Sequence, residues 1–117
     1  MDNLKTKTLL YAEDEIEIQE LFKNIFEKYF NKVIIANDGE EALKVYKDYE
    51  PDVLILDINM PIIDGITLAK MLREDKCDKE IILLTARSDK EAYKKAISLG
   101  LVDYLENKEK KQGTRKI

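Results

Sequence analysis

Asp52-Val53-Leu54-Ile55-Leu56-Asp57-Ile58-Asn59-Met60-Pro61-Ile62-Ile63-Asp64-Gly65 contains a strand, a loop and the start of a helix within fourteen residues. Val53–Leu56 is an unbroken, branched-rich apolar run without alternation. With Asp52 it reads as a strand over residues 52–56, buried on both faces as in a parallel sheet. Asp57 stands just past the strand's end. Met60-Pro61 interrupts regular structure, and Asp64-Gly65 supplies turn chemistry. From about Gly65 the residues Ile66, Leu68, Ala69 and Leu72 recur at helical spacing.

The same alternation extends in both directions. Thr8–Ala12, Lys32–Ala36, Ile81–Leu84 and Val102–Leu105 are further short branched-rich runs. Ile18, Leu21, Phe22, Ile25, Phe26 and Tyr29 trace one apolar helical stripe between the first two strands. Ala42, Leu43, Tyr46 and Tyr49 define a second helix. Asp38 precedes Glu41 by three residues as a variant capping box, with Gly39 in the loop before the helix. A fourth helix starts at Ser88, with Glu91 reaching back, and stops at Gly100. Strand–helix alternation with short connections implies right-handed crossovers and a parallel sheet covered on both sides. The fold class is therefore α/β, a doubly wound five-stranded sheet, for which the order 2-1-3-4-5 is expected.

Composition narrows the chemistry. The chain has 117 residues, enough for one domain with a real core, and is 44% hydrophobic and 38% charged. It has no apolar stretch of membrane-spanning length and no apolar leader after Met1, so no membrane span and no secretory signal are expected. Its single cysteine, Cys77, forms no intrachain disulfide, which suits the cytoplasm; it reads as a bystander near a helix end. There is no histidine, which removes Ser-His-Asp and Cys-His nucleophiles and histidine zinc sites. Residues 106–117 carry five Lys/Arg and two Asp/Glu, a net +3, whereas the remaining 105 carry 15 and 22, a net −7. So acidic a body argues against direct nucleic-acid binding.

In a parallel sheet every strand ends on the same edge. The first strand runs into Glu13-Asp14, the third into Asp57 and the fourth into Thr85. If the first and third strands are neighbours, Glu13, Asp14 and Asp57 face one crevice at the topological switch point. Three such carboxylates repel one another unless a cation joins them, and oxygen ligands favour a hard ion, Mg²⁺ foremost. Each residue also has an ordinary reading. Glu13-Asp14 suits a helix N-terminus, Asp57 can cap a turn, and Thr85 is a common strand residue.

The string Leu56 to Gly65, with Leu84-Thr85-Ala86 and Gly100-Leu101-Val102-Asp103-Tyr104-Leu105, is similar to the response-regulator receiver family, over about Thr8 to Leu105. The resemblance implies a flavodoxin-like fold and a cytoplasmic, phosphoryl-accepting switch of two-component signalling, like the single-domain chemotaxis receivers. Asp57 would accept phosphate from a sensor histidine kinase. Glu13, Asp14, Asp57 and the Asn59 backbone carbonyl would hold Mg²⁺. Thr85 would bond the phosphoryl group after transfer. Tyr104 would be the switch aromatic, or alternatively a fixed aromatic of the last strand. A downstream effector follows from the same resemblance. The domain would not be an enzyme in the ordinary sense, although it would accept phosphate and catalyse its own phosphorylation and dephosphorylation. The alternatives are a degenerate receiver that binds partners without phosphorylation and, with less support, an Asp-nucleophile phosphatase. Such phosphatases place a second aspartate two residues after the nucleophile, where this chain has Asn59.

The match weakens at the C-terminus. The family's Lys-Pro after the last strand is replaced by Asn107, with Lys108 one place late and Glu109 beyond it. Imitating a cis Lys-Pro with Lys108-Glu109 would cost about 3–4 kcal/mol. No apolar stripe exists in Glu106–Ile117, so the fifth helix reads as missing or degenerate. Residues 1–105 then form the receiver and 106–117 a basic tail, shortened or altered. The loss would uncover inward residues of strands three to five beside the first helix. A homodimer or exchanged segment is expected to cover that face.

Overall fold

The computed structural model describes residues 4–84 and Lys94. After a 3₁₀ turn at Leu4–Thr6, the elements run β1 (Thr8–Ala12), α1 (Ile16–Phe26), β2 (Lys32–Ala36), α2 (Gly39–Tyr49), β3 (Val53–Asp57), α3 (Gly65–Glu74) and β4 (Glu80–Leu84). All strand pairings are parallel, in the order β2-β1-β3-β4. This is the expected α/β, doubly wound topology over the strands described. The fifth strand, the helix from Ser88, the question of a fifth helix and the tail 106–117 lie outside the described residues.

Local chemistry sets the helix starts. Asp38 caps α2, its Oδ1 accepting from the Glu41 N–H at 2.7 Å, while Glu41 Oε1 accepts from the Asn37 N–H at 2.6 Å. Asp64 caps α3 in the same way through the Thr67 N–H at 2.7 Å. Gly39 is the first residue of α2 rather than part of the preceding loop. β3 is shifted one residue from the expected span. Asp52 precedes the strand, where its N–H and carboxylate pair with the Thr8 carbonyl and N–H, both at 2.9 Å, and Asp57 is the last strand residue. β4 likewise gains Glu80.

The core lies on both sheet faces. Leu10, Leu54, Leu56, Ile81 and Leu83 pack with Ala42 and Val45 of α2 and Leu68, Ala69 and Leu72 of α3. Cys77 belongs to this cluster, buried just beyond the end of α3, where it packs as a core residue. On the other face Leu9, Tyr11, Phe30, Val53, Ile55 and Ile82 pack with Phe22 and Phe26 of α1.

The α1 stripe is only partly used. Phe22 and Phe26 join the core, but Leu21 and Tyr29 are each 57% exposed, and Ile18 and Ile25 are exposed beside them. The helix itself ends at Phe26, before Tyr29. An i, i+4 pair contacts the sheet along one line, so the flanks of a wide stripe need further neighbours. The expected bare strand residues are not found in β3 and β4, where Val53, Ile55 and Ile82 are buried within this aromatic cluster. Among the described residues, the exposed apolar surface on this side belongs to α1 and to Tyr29 just after it.

Candidate functional site: an acidic pocket at the β1–β3 edge

β1 and β3 are adjacent, with Leu9 opposite Val53 and Ala12 opposite Leu56. Continuing that register by one residue sets Glu13 beside Asp57 at the carboxyl edge. The Glu13 N–H extends the β1–β2 ladder by bonding the Ala36 carbonyl at 3.0 Å, and the Ile58 N–H reaches the Leu84 carbonyl at 3.4 Å. The loop after β3 closes through the Gly65 N–H on the Ile58 carbonyl at 2.9 Å. Its glycine is sterically required. A Cβ on Gly65 would collide with the Asp57 carbonyl oxygen and lie 2.9 Å from the Ile58 Cα.

Glu13, Asp14 and Asp57 each offer an oxygen within 4.8 Å of the other two. Glu13 is 4% exposed and Asp57 is half-buried. Burial, chiefly, raises the Glu13 pKa, and the nearby Asp14 and Glu15 charges raise it further against the lowering effect of its hydrogen bonds. Carboxylates packed this closely, without nitrogen or sulfur donors, make a donor set suited to a small hard cation.

The geometry thus unites the three carboxylates read from the sequence. Asn59 lies two residues past β3, on the closed loop, and is exposed. Thr85, Tyr104, Asn107 and Lys108 lie outside the described residues. Three further groups were not read from the sequence. Tyr11 donates its hydroxyl hydrogen to Glu13 Oε1 at 3.4 Å. Gln19 Nε2 donates to the Glu13 carbonyl and to Asn37 Oδ1, both at 2.8 Å, tying α1 to the pocket and to the start of α2. Tyr11 alone carried a legible signal, since residues two apart on a strand share a face. Burial, followed by the Glu13 and Asp57 charges, raises the Tyr11 pKa, so its hydroxyl keeps its proton to donate.

Residues 9–116 match the response regulator receiver domain family, and the chain belongs to it. It is 34% identical over 99 residues to the chemotaxis protein CheY of Halobacterium salinarum, covering 85% of this chain and 82% of that protein. The alkaline phosphatase synthesis transcriptional regulatory protein PhoP of Bacillus subtilis is 37% identical over 99 residues, covering 85% of this chain. A probable C4-dicarboxylate response regulator DctR of Priestia megaterium is 33% identical over 105 residues, covering 88%. The chain spans only 41% and 46% of those two longer proteins. Among solved structures, the Francisella response regulator 1452 receiver domain superposes with a TM-score of 0.76 at 33% identity, covering 86% and 83% of the two chains. The response regulator TrrA of Thermotoga maritima, in complex with Mg²⁺-BeF, gives 0.72 at 36% identity, covering 92% and 98%. Among the described residues, no helix is long and apolar enough to cross a membrane.

Proposed function

We propose that this chain is a cytoplasmic phosphoryl-accepting switch in which Asp57 receives phosphate from a sensor histidine kinase. The observation that carries the reading is the meeting of Glu13, Asp14 and Asp57 at the ends of two adjacent strands. Their donor chemistry fits Mg²⁺, the ion present in the TrrA structure. Glu13, Asp14 and Asp57, with the Asn59 backbone carbonyl, would be its protein ligands. When bound, the ion neutralises charge on the oxygens of the transferring phosphoryl group.

A carboxylate oxygen of Asp57 attacks phosphorus in line. An O–P bond forms as the P–N bond to the donor imidazole breaks, and the imidazole nitrogen retains the electron pair and takes up a proton. Asp57 is the last residue of a buried strand, which fixes its approach, and the Gly65 N–H closes the following loop on the Ile58 carbonyl at 2.9 Å. Thr85 then bonds a phosphoryl oxygen, and Tyr104 responds as the switch aromatic that alters the surface offered to an effector. The domain releases no product other than phosphate from its own acyl phosphate, and so acts as a switch rather than as an enzyme on a separate substrate. We also propose a homodimer through the exposed apolar side chains of α1 and the turn after it, where Leu21 and Tyr29 are each 57% exposed.

Incubation with acetyl phosphate and Mg²⁺, followed by intact mass measurement, tests the central reading. The parent should gain about 80 Da on one site, and Asp57→Asn should gain nothing. An equal adduct on Asp57→Asn would remove Asp57 from the role. No adduct on the parent would favour a degenerate receiver that acts without phosphorylation.

A further inference from the structure

Glutamate in the metal pocket raises a mechanical problem. It has one more rotatable bond than aspartate, so holding its carboxylate at a fixed point costs more side-chain entropy. Here both carboxylate oxygens are held. Oε2 accepts from the Glu15 N–H at 3.1 Å, and Oε1 accepts from the Tyr11 hydroxyl at 3.4 Å. The second donor is unusually well anchored. The Tyr11 side chain is fully buried, with its ring edge-on to Phe26 at 5.2 Å and 81° and to Phe22 at 6.3 Å and 66°. Those two phenyl rings stack on each other at 5.8 Å. Packing between the sheet and α1 therefore sets where the hydroxyl points, and it points at the innermost acid of the cluster.

We infer that Tyr11 is a positioning residue for the cation site, its hydroxyl aiming the Glu13 carboxylate toward Asp14 and Asp57. The inference rests on the reading of this cluster as a Mg²⁺ site. Asp57, on the last residue of β3, and Asp14, two residues past β1, have shorter side chains; Glu13 is the longer, more flexible member, and Tyr11 is the part of the core that restrains it. A hydrogen bond to a metal ligand fixes its orientation without occupying all its lone pairs.

The test is a double-mutant cycle read by calorimetric titration with MgCl₂ on the parent, Tyr11→Phe, Glu13→Asp and the double variant. Tyr11→Phe keeps the ring and its aromatic contacts and removes only the hydroxyl. It should weaken Mg²⁺ binding about 3- to 10-fold, at or below the usual loss for a group that holds a metal ligand because the bond is long. In the Glu13→Asp background the shorter carboxylate is out of the hydroxyl's reach, so the further Tyr11→Phe change should have little effect. That non-additivity separates positioning from a general loss of packing. Unchanged affinity in Tyr11→Phe, or an equal loss in both backgrounds, would overturn the inference while leaving the Mg²⁺ site standing. A parent that binds no Mg²⁺ would overturn both.

Discussion

Ile62 combines a φ of 71° with 69% exposure, a pairing that neither its backbone nor its side chain favours. Glu50 and Lys76 also have positive φ, but both lie just beyond helix ends, where left-handed residues are common. Ile62 has no such excuse: it is β-branched and lies in the loop between Asp57 and α3. The Ile63 N–H bonds the Pro61 carbonyl at 2.8 Å, so Ile62 is the centre of a strained three-residue turn. Glycine removes the Cβ clash but gains freedom when unfolded. Ile62→Gly should therefore stabilise the domain by a net amount of about 0.5–1 kcal/mol. Urea unfolding would show this as a higher midpoint at an unchanged slope. A lower midpoint would mean that the side chain makes a stabilising contact worth more than the strain.

At the scale of elements, the junction of β3 with α3 decides how firmly Asp57 is held. Gly65 lets the first turn of α3 touch the end of β3, and Asp64 caps that turn at 2.7 Å. Gly65→Ala would force the two backbones apart, at a cost of about 1–3 kcal/mol, typical of an overpacked site. The accompanying displacement of Asp57 should slow acyl-phosphate formation from acetyl phosphate. Unchanged unfolding and unchanged phosphorylation rates would show that the junction yields freely. These elements were legible because strands buried on both faces leave continuous apolar runs, and because Asp38 announces the start of α2; Asp64 read only as a turn residue, although it caps α3. Boundaries were less so. Asp52 reads as a strand residue by its neighbours, yet its side chain is taken by the Thr8 N–H. In the site, the three carboxylates were legible from their place after strands. Gln19 and Asn37 were not, since their bonds depend on how α1 approaches the loops. Tyr11 carried only the signal of its spacing, two residues before Glu13 on an otherwise apolar strand.

At the scale of the molecule, the helices among the described residues cover the two sheet faces unequally. α2 and α3 bury Val45, Leu68 and Leu72 into one face, whereas α1 buries no side chain completely. Ile18, Leu21 and Ile25 of α1, with Tyr29 just after it, are exposed apolar side chains at helical spacing, of the kind that protein partners cover. Light scattering across a concentration series should show reversible growth toward twice the monomer mass, and Leu21→Glu should return it to monomer. A parent that stays monomeric at high concentration, with no hydrophobic dye bound, would show that this flank tolerates water.

The reciprocal pair between Thr8 and Asp52 lies at the opposite edge of the sheet from the acidic pocket. It acts as the zero mark of a ruler. Glu13 stands five positions after Thr8 and Asp57 five after Asp52, so in the β1–β3 register the two strands deliver their acids at the same height. A slip of one position would carry Asp57 about 3.3 Å along the sheet and turn it to the other side. The alignment of the chemistry is thus set at the far end of the molecule, by an aspartate that takes no part in it.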